Sequence, residues 1–479
     1  MIERYGDGRG LTIIDVSLSY HSARVHIVFD VLLRGEHRAR LQTTAQEIGL
    51  PVTWEEAQAI QSNPEAYRLP DHLIAALESL VGEDGDGWPL WLYFGGSSGY
   101  LSVVPWEKIL QPHLNVALLR LPSHEVEPVV PEESLDTVIC LGLPVTKAAL
   151  NPRDLVGRFL AQLPGSVAPH TTFHLFGDAS VQDLLHSMKR DLSREYAVHI
   201  YDPNRAPKPH DDETVAAVCH AADNSWLAWM REALENRSVD VVHFLCHGYL
   251  GRDQGALALT EAPGVNQDMS SAQFVHAGQL CKFLNRVGAW SVAFSSPPGN
   301  RSVAGLRMLQ DDVARLRPGP VLFHDAAHVD GHKGLEAAYR FLYGDEHTES
   351  RRPPRSPAIS LYCHPSYLVP DVPSAKPARQ RFGAWPDLID KLTLAGKLGK
   401  TLVGPENTPV WLAAAQRSLE QSVSRILNPT TERDRAIRTG SAEALRFVAA
   451  VLARHAKAAS VDATATKTPP VERDEGKGP

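Results

Sequence analysis

From about residue 88 to residue 370 the chain alternates short apolar runs with amphipathic stretches, and no other property of the sequence restricts its fold as much. The apolar runs include Thr137-Val-Ile-Cys-Leu-Gly142, Thr172-Phe-His-Leu-Phe176 and Ala197-Val-His-Ile-Tyr201. Further along come Asp240-Val-Val-His-Phe-Leu-Cys-His-Gly248, Trp290-Ser-Val-Ala-Phe-Ser-Ser-Pro-Pro-Gly299, Gly319-Pro-Val-Leu-Phe-His324 and Ala358-Ile-Ser-Leu-Tyr362. Helical spacing falls between them at about 180–193, 223–237, 271–286, 302–316 and 333–343. Strands that are apolar without alternation are buried on both faces, and strand–helix–strand order predicts a mostly parallel sheet flanked by helices. The fold class is therefore α/β.

Residues 10–45 alternate apolar and polar, which predicts an antiparallel meander or hairpin. Residues 53–82 have helical spacing interrupted near Pro64 and Pro70. After residue 370 prolines mark a linker, and residues 386–456 carry an apolar stripe at helical spacing. The last twenty or so residues lack any apolar pattern and predict a disordered tail. The expected organisation is an N-terminal β/α region (1–87), an α/β core (88–370), a linker with a helical appendix (371–458) and the tail (459–479).

Of the 479 residues, 43% are hydrophobic and 22% charged, the balance of a globular chain. No apolar run reaches the length of a membrane span, and the N-terminus lacks the apolar stretch of a signal peptide. Five scattered cysteines without a CxxC pair argue against a disulfide framework and for a reducing, cytoplasmic location. A net charge of −8 with no dense basic stripe argues against nucleic acid as the partner.

Two of the strands carry the candidate chemistry. The first is expected to end at His247-Gly248, delivering a possible general base to the carboxyl edge of the sheet, where open α/β folds bind ligands. Gly248 would turn the chain and offer an unobstructed N–H to an oxyanion. The second is expected to end near Ser296 and Pro297. Cys246 points away from His247 by strand alternation and reads as a packing residue, whereas His243 shares the face of His247 further down the strand.

His-Phe-x-x-His-Gly, followed by an apolar strand that closes in a small-residue turn, resembles the CHAT domain, a caspase-like peptidase of the separase and gingipain group. The matching residues are Val242, His243, Phe244, Leu245, Cys246, His247 and Gly248. Upstream, Leu90-Trp-Leu-Tyr-Phe and then Tyr100-Leu-Ser-Val-Val-Pro-Trp-Glu107 resemble the segment with which the family core begins. The resemblance implies a caspase-like fold over roughly residues 88–370 and a cysteine after the second strand. That position falls at Pro297, or at Ser296 if the register shifts by one. It also implies that Asp253 and Asp268 could line an acidic pocket for a basic substrate residue.

Three readings follow. A chain that keeps the histidine and lacks the cysteine is expected to be a pseudo-peptidase, binding or regulating a protein partner without a cofactor, in bacterial defence or signalling. An active hydrolase would use Ser296 as nucleophile and His247 as base. A metal-dependent hydrolase would centre on His324 and His328, with Asp325, if 324, 328 and 332 shared a helix face; Gly331 and Gly334 instead predict a loop there.

Overall fold

A computed structural model describes residues 11–21, 24–33, 36–60, 67–82, 89–94, 100–122, 134–143, 152–161, 170–206, 224–235, 237–251, 254–260, 262–264, 272–297, 300–344 and 352–368. All of them belong to one compact unit, Met1–Ile389. The expected helical appendix and tail lie outside the described residues.

The chain begins with a meander of three antiparallel strands, β1 (Thr12–His21), β2 (Arg24–Leu33) and β3 (Glu36–Thr44). Among the described residues the helices α1 (Ala45–Ile48), α2 (Trp54–Ile60) and α3 (Asp71–Gly82) follow. Strand β4 (Leu90–Tyr93), helix α4 (Trp106–Leu114) and strand β5 (Leu118–Arg120) come next. Then strand and helix alternate: β6 (Ser134–Gly142), α5 (Pro152–Leu160), β7 (His170–Gly177), α6 (Gln182–Leu192), β8 (Ala197–Tyr201), α7 (Ser225–Ala233) and β9 (Val241–Leu250). Strands β10 (Gly255–Thr260) and β11 (Ala272–His276) precede α8 (Ala277–Arg286). The described chain closes with β12 (Ser291–Ser296), α9 (Asn300–Leu316), β13 (Val321–Asp325), α10 (Gly331–Tyr343) and β14 (Ile359–Tyr362).

Among the described residues, twelve strands form one continuous sheet in the order β3-β2-β1-β4-β5-β14-β13-β12-β9-β6-β7-β8, with β10 and β11 branching from β9. From β13 to β8 every pairing is parallel. Strand β14 is antiparallel to β13 yet parallel to β5, so the direction of the sheet reverses there. The mostly parallel sheet flanked by helices is consistent with a caspase-like α/β fold, and the N-terminal meander extends the same sheet because β1 pairs with β4.

Alternation divides the buried side chains between the two faces. Val242, Phe244, Val292, Phe294 and Phe323 pack on one face with Leu306, Leu309 and Trp226. Val241, Leu245, Ala293 and Leu322 pack on the other with Phe159, Leu335 and Tyr339. Both faces are buried, as continuous apolar strands require.

Two expectations are corrected. Strand β9 does not stop at His247-Gly248. It continues to Leu250 because β10 folds back as an antiparallel partner, with Ala258 opposite His247 and Leu257 opposite Gly248. Residues 326–330 form the expected turn, but the helix expected over about 333–343 already starts at Gly331, so Gly331 and Gly334 lie in the helix rather than in the loop. At Gly334 a Cβ would lie 2.4 Å from Ser356 Oγ, so the glycine there serves close helix packing rather than a turn.

Candidate active site

The two motif strands are parallel neighbours, in register from Ser291 opposite Val241 to Ser295 opposite Leu245. Ser296 lies one residue past the last pair and His247 two, so both stand at the carboxyl edge of the parallel sheet. The sequence placed these strand ends side by side correctly.

The side chains diverge. Residues facing one another in a parallel ladder share a face, so Ser295, Leu245 and His247 lie on one side and Cys246 and Ser296 on the other. Ser296 is fully buried, and its hydroxyl donates to the Pro297 carbonyl at 3.1 Å. Pro297 is also buried. It has no N–H to offer an oxyanion. His247 is half-buried, and desolvation holds its imidazole below the usual histidine range. Gly248 is part of the β9–β10 ladder rather than a turn. Cys246 is wholly buried among apolar residues, and burial raises its thiol far above the ordinary range, as expected of a packing cysteine. Asp253 and Asp268 lie outside the described residues.

Beneath the edge runs a buried polar chain that sequence reasoning missed. Ser295 Oγ lies 2.8 Å from His243 Nε2 and 2.8 Å from His324 Nδ1. His243 Nδ1 in turn meets the Tyr339 hydroxyl at 2.5 Å, and the edge of Phe159 packs against the His243 ring. Burial, then the neighbouring His324, pushes His243 well below the ordinary range; burial pushes His324 down to about 4. Both imidazoles are therefore neutral near pH 7, which matches a chain of hydroxyls and neutral rings in which each link has one proton to give.

On the opposite face, the Pro-Trp-Glu segment delivers charge into the core. Glu107 accepts from Arg120 Nε at 2.7 Å and from Arg307 Nη1 at 3.0 Å, and all three side chains are fully buried. Burial alone would raise the Glu107 carboxyl, but the two guanidiniums overcome it and hold it at about 2. Next to it Lys108 Nζ donates to Asp325 Oδ2 at 2.7 Å, at the end of β13 and opposite Ser296. Burial opposes ionisation of Asp325 as well, and Lys108 and Arg307 keep its carboxyl below the ordinary value. Single charges inside apolar runs, Glu107 in Val-Val-Pro-Trp-Glu and Arg120 in Leu-Leu-Arg-Leu, were the signal available for this network, since buried charges survive only when paired.

The metal reading loses its ligand set. His324 is on a strand, His328 in the following turn, where its Nδ1 accepts from the Asp330 amide at 3.1 Å, and His332 in α10. Asp325 is engaged by Lys108. Among the described residues no group of three or more His, Cys, Asp or Glu side chains is placed to hold a metal ion. Among the same residues no helix is long and apolar enough to cross a membrane.

No protein-family model matches this chain, and no curated protein matches it.

Proposed function

We propose that this chain is a CHAT-type, caspase-like domain that binds a protein partner without cleaving it, in the cytoplasm and in the bacterial defence or signalling setting the resemblance implies. One observation carries the reading: the position facing the His247 edge offers no usable nucleophile. Ser296 is buried, turned to the face opposite His247 and bonded to its own neighbour's carbonyl. Nucleophile and base must lie within hydrogen-bond reach, and the oxyanion needs an N–H that Pro297 lacks. Nucleic acid is not the expected partner, because the chain carries no concentrated basic surface in its sequence.

The adjacency of β9 and β12 favours one alternative, a serine hydrolase in which Ser296 swings toward His247. A serine-directed phosphonate probe and a mixture of fluorogenic peptides separate the two. The expected result is neither labelling nor cleavage. Labelling that disappears in both Ser296→Ala and His247→Ala would overturn the proposal, since nucleophile and base act as a unit. Conversely, Pro297→Cys restores a thiol and an amide together. An electrophilic peptide that labels this variant, but not one also carrying His247→Ala, would show the remaining scaffold to be that of a peptidase.

A further inference from the structure

We propose that the edge of the Arg307 guanidinium, together with the Tyr67 hydroxyl, binds a monovalent inorganic anion, chloride, inside the fold beside α4 and β13. The site is independent of the partner reading above.

The geometry begins at Glu107. Arg120 donates to both of its carboxylate oxygens, from Nε at 2.7 Å and from Nη2 at 3.0 Å, and Arg307 donates to one of them from Nη1 at 3.0 Å. A planar guanidinium presents Nε–H and one Nη–H side by side as a fork. Arg120 aims that fork at Glu107. Arg307 does not: its Nε and Nη2, the matching pair, meet no acceptor among the described residues. The Phe323 ring, 4.7 Å from the guanidinium carbon, covers one face of the group, so an acceptor approaches at the edge, where the N–H groups are.

The charge around the fork is out of balance. Among the described residues Arg120, Arg307 and Lys108 gather on Glu107 and Asp325, three cations against two carboxylates. The next carboxylate, Asp311, is already held by Arg315 at 2.8 Å and by the Tyr362 hydroxyl at 2.6 Å. The surplus falls on Arg307. Burial opposes the charge of both arginines; Glu107 overcomes it at Arg120, whose guanidinium is raised, but not at Arg307, which has Arg120 beside it and is lowered. Arg307 is fully buried, where a cation compensated by a shared carboxylate is poorly placed.

Tyr67 supplies a further donor. Its hydroxyl is buried and bonds to no group among the described residues. Burial raises the phenol, and Arg307 is near enough for its charge to pull the other way. A guanidinium fork and a hydroxyl in one neighbourhood suit an anion. A water could accept from the fork but would leave the surplus charge in place. Full burial limits the size of the ion and the single surplus charge sets its valence, which selects chloride over phosphate.

The test compares thermal midpoints of the full chain in sodium gluconate and in sodium chloride at equal ionic strength, and locates the ion by anomalous scattering in crystals grown in sodium bromide. An anion that binds only the folded chain raises the midpoint with its concentration, and a rise of about 3 °C or more is expected from about 1 to about 100 mM chloride. Bromide is expected in contact with Arg307 Nε and Nη2. Tyr67→Phe should weaken chloride binding by more than about tenfold, the scale of one hydrogen bond to a charged group. Arg307→Met leaves Glu107 and Arg120 paired one to one and should melt independently of chloride; if that variant does not fold, Tyr67→Phe and the bromide position decide the matter. Arg38→Gln, taken from an exposed pair with Glu36, should keep the full chloride response. Equal midpoints in the two salts, a chloride response that survives Tyr67→Phe and Arg307→Met, or a water, carbonyl or carboxylate of the chain found on the fork would overturn the proposal. A bromide at the fork without any chloride response in solution would mark an adventitious ion only and would overturn it as well.

Discussion

Ser295 and Ser296 are consecutive hydroxyls with opposite fates. Ser295 links two buried imidazoles, and removing its oxygen strands His243 Nε2 and His324 Nδ1 in a dry interior, where each orphaned polar atom costs about 1–3 kcal/mol. Ser296 makes one bond to the Pro297 carbonyl. Ser295→Ala is therefore expected to destabilise the fold by about 2 kcal/mol or more and Ser296→Ala by less than about 1 kcal/mol, read from urea midpoints; equal effects would refute the assignment of roles. A larger penalty belongs to Glu107→Gln, which leaves two fully buried guanidiniums without their carboxylate. Breaking a buried ion pair from one side costs about 3–5 kcal/mol, and a chemical melt showing a loss below about 1 kcal/mol would mean that the pairing contributes little. Single residues of the site were legible where strand alternation alone decides the outcome: Cys246 is a packing residue, and His243 lies beneath the edge on the side of His247. The polar chain was not legible. Its partners come from 29, 52 and 96 residues away in sequence, and periodicity carries no information about which distant side chain will meet which.

At the level of elements, the seven strands expected after residue 88 on periodicity grounds all form, because continuous apolar runs bounded by amphipathic helices leave few alternatives. The β10–β11 excursion escaped notice for two reasons. Gly255-Ala-Leu-Ala-Leu-Thr260 is too rich in alanine and leucine to read as a strand, and residues 272–276 blend into the helical spacing of α8. That omission also hid the continuation of β9 past Gly248, since an antiparallel partner is what keeps the chain extended there. The excursion depends on the contact between Gly255 and Gly305, where a methyl group would collide with backbone that cannot rotate aside. Gly305→Ala is expected to cost about 2–3 kcal/mol or more and to raise hydrogen exchange in β10 and β11. Gly278→Ala in α8, where a Cβ meets nothing within 4 Å, should be neutral or gain up to about 1 kcal/mol. If the two substitutions behave alike, the helix does not rest on the hairpin as described.

For the molecule as a whole, the mostly parallel class was readable from the order of elements, but the joining of the N-terminal meander to the same sheet was not. That joining depends on β1 choosing β4, and on β14 choosing β5, pairings decided by packing rather than by pattern. A sheet so continuous should respond to acid as a unit, and the titratable groups fix the direction. His243, His247 and His324 all have imidazoles held below the ordinary value by burial. Above pH 6.5 they are neutral in folded and unfolded chains alike and contribute no pH dependence. As the pH falls below 6.5 the unfolded chain binds protons that the folded chain refuses, so stability declines until the folded-state value is reached. For His324, lowered from 6.5 to about 4, the loss between those limits is about 3 kcal/mol at 1.4 kcal/mol per unit. Glu107 acts in a separate, lower window: its stabilisation is complete above its unfolded value of 4.5 and disappears as the pH drops through about 2. Urea midpoints measured from pH 7.5 to 5 should therefore fall steadily, above the window in which Glu107 acts. His324→Asn, which can still bond to Ser295 but takes up no proton, should flatten that slope even if it lowers stability at pH 7. A slope unchanged by His324→Asn would show that the buried polar chain is already protonated, or already open to water, in the folded protein.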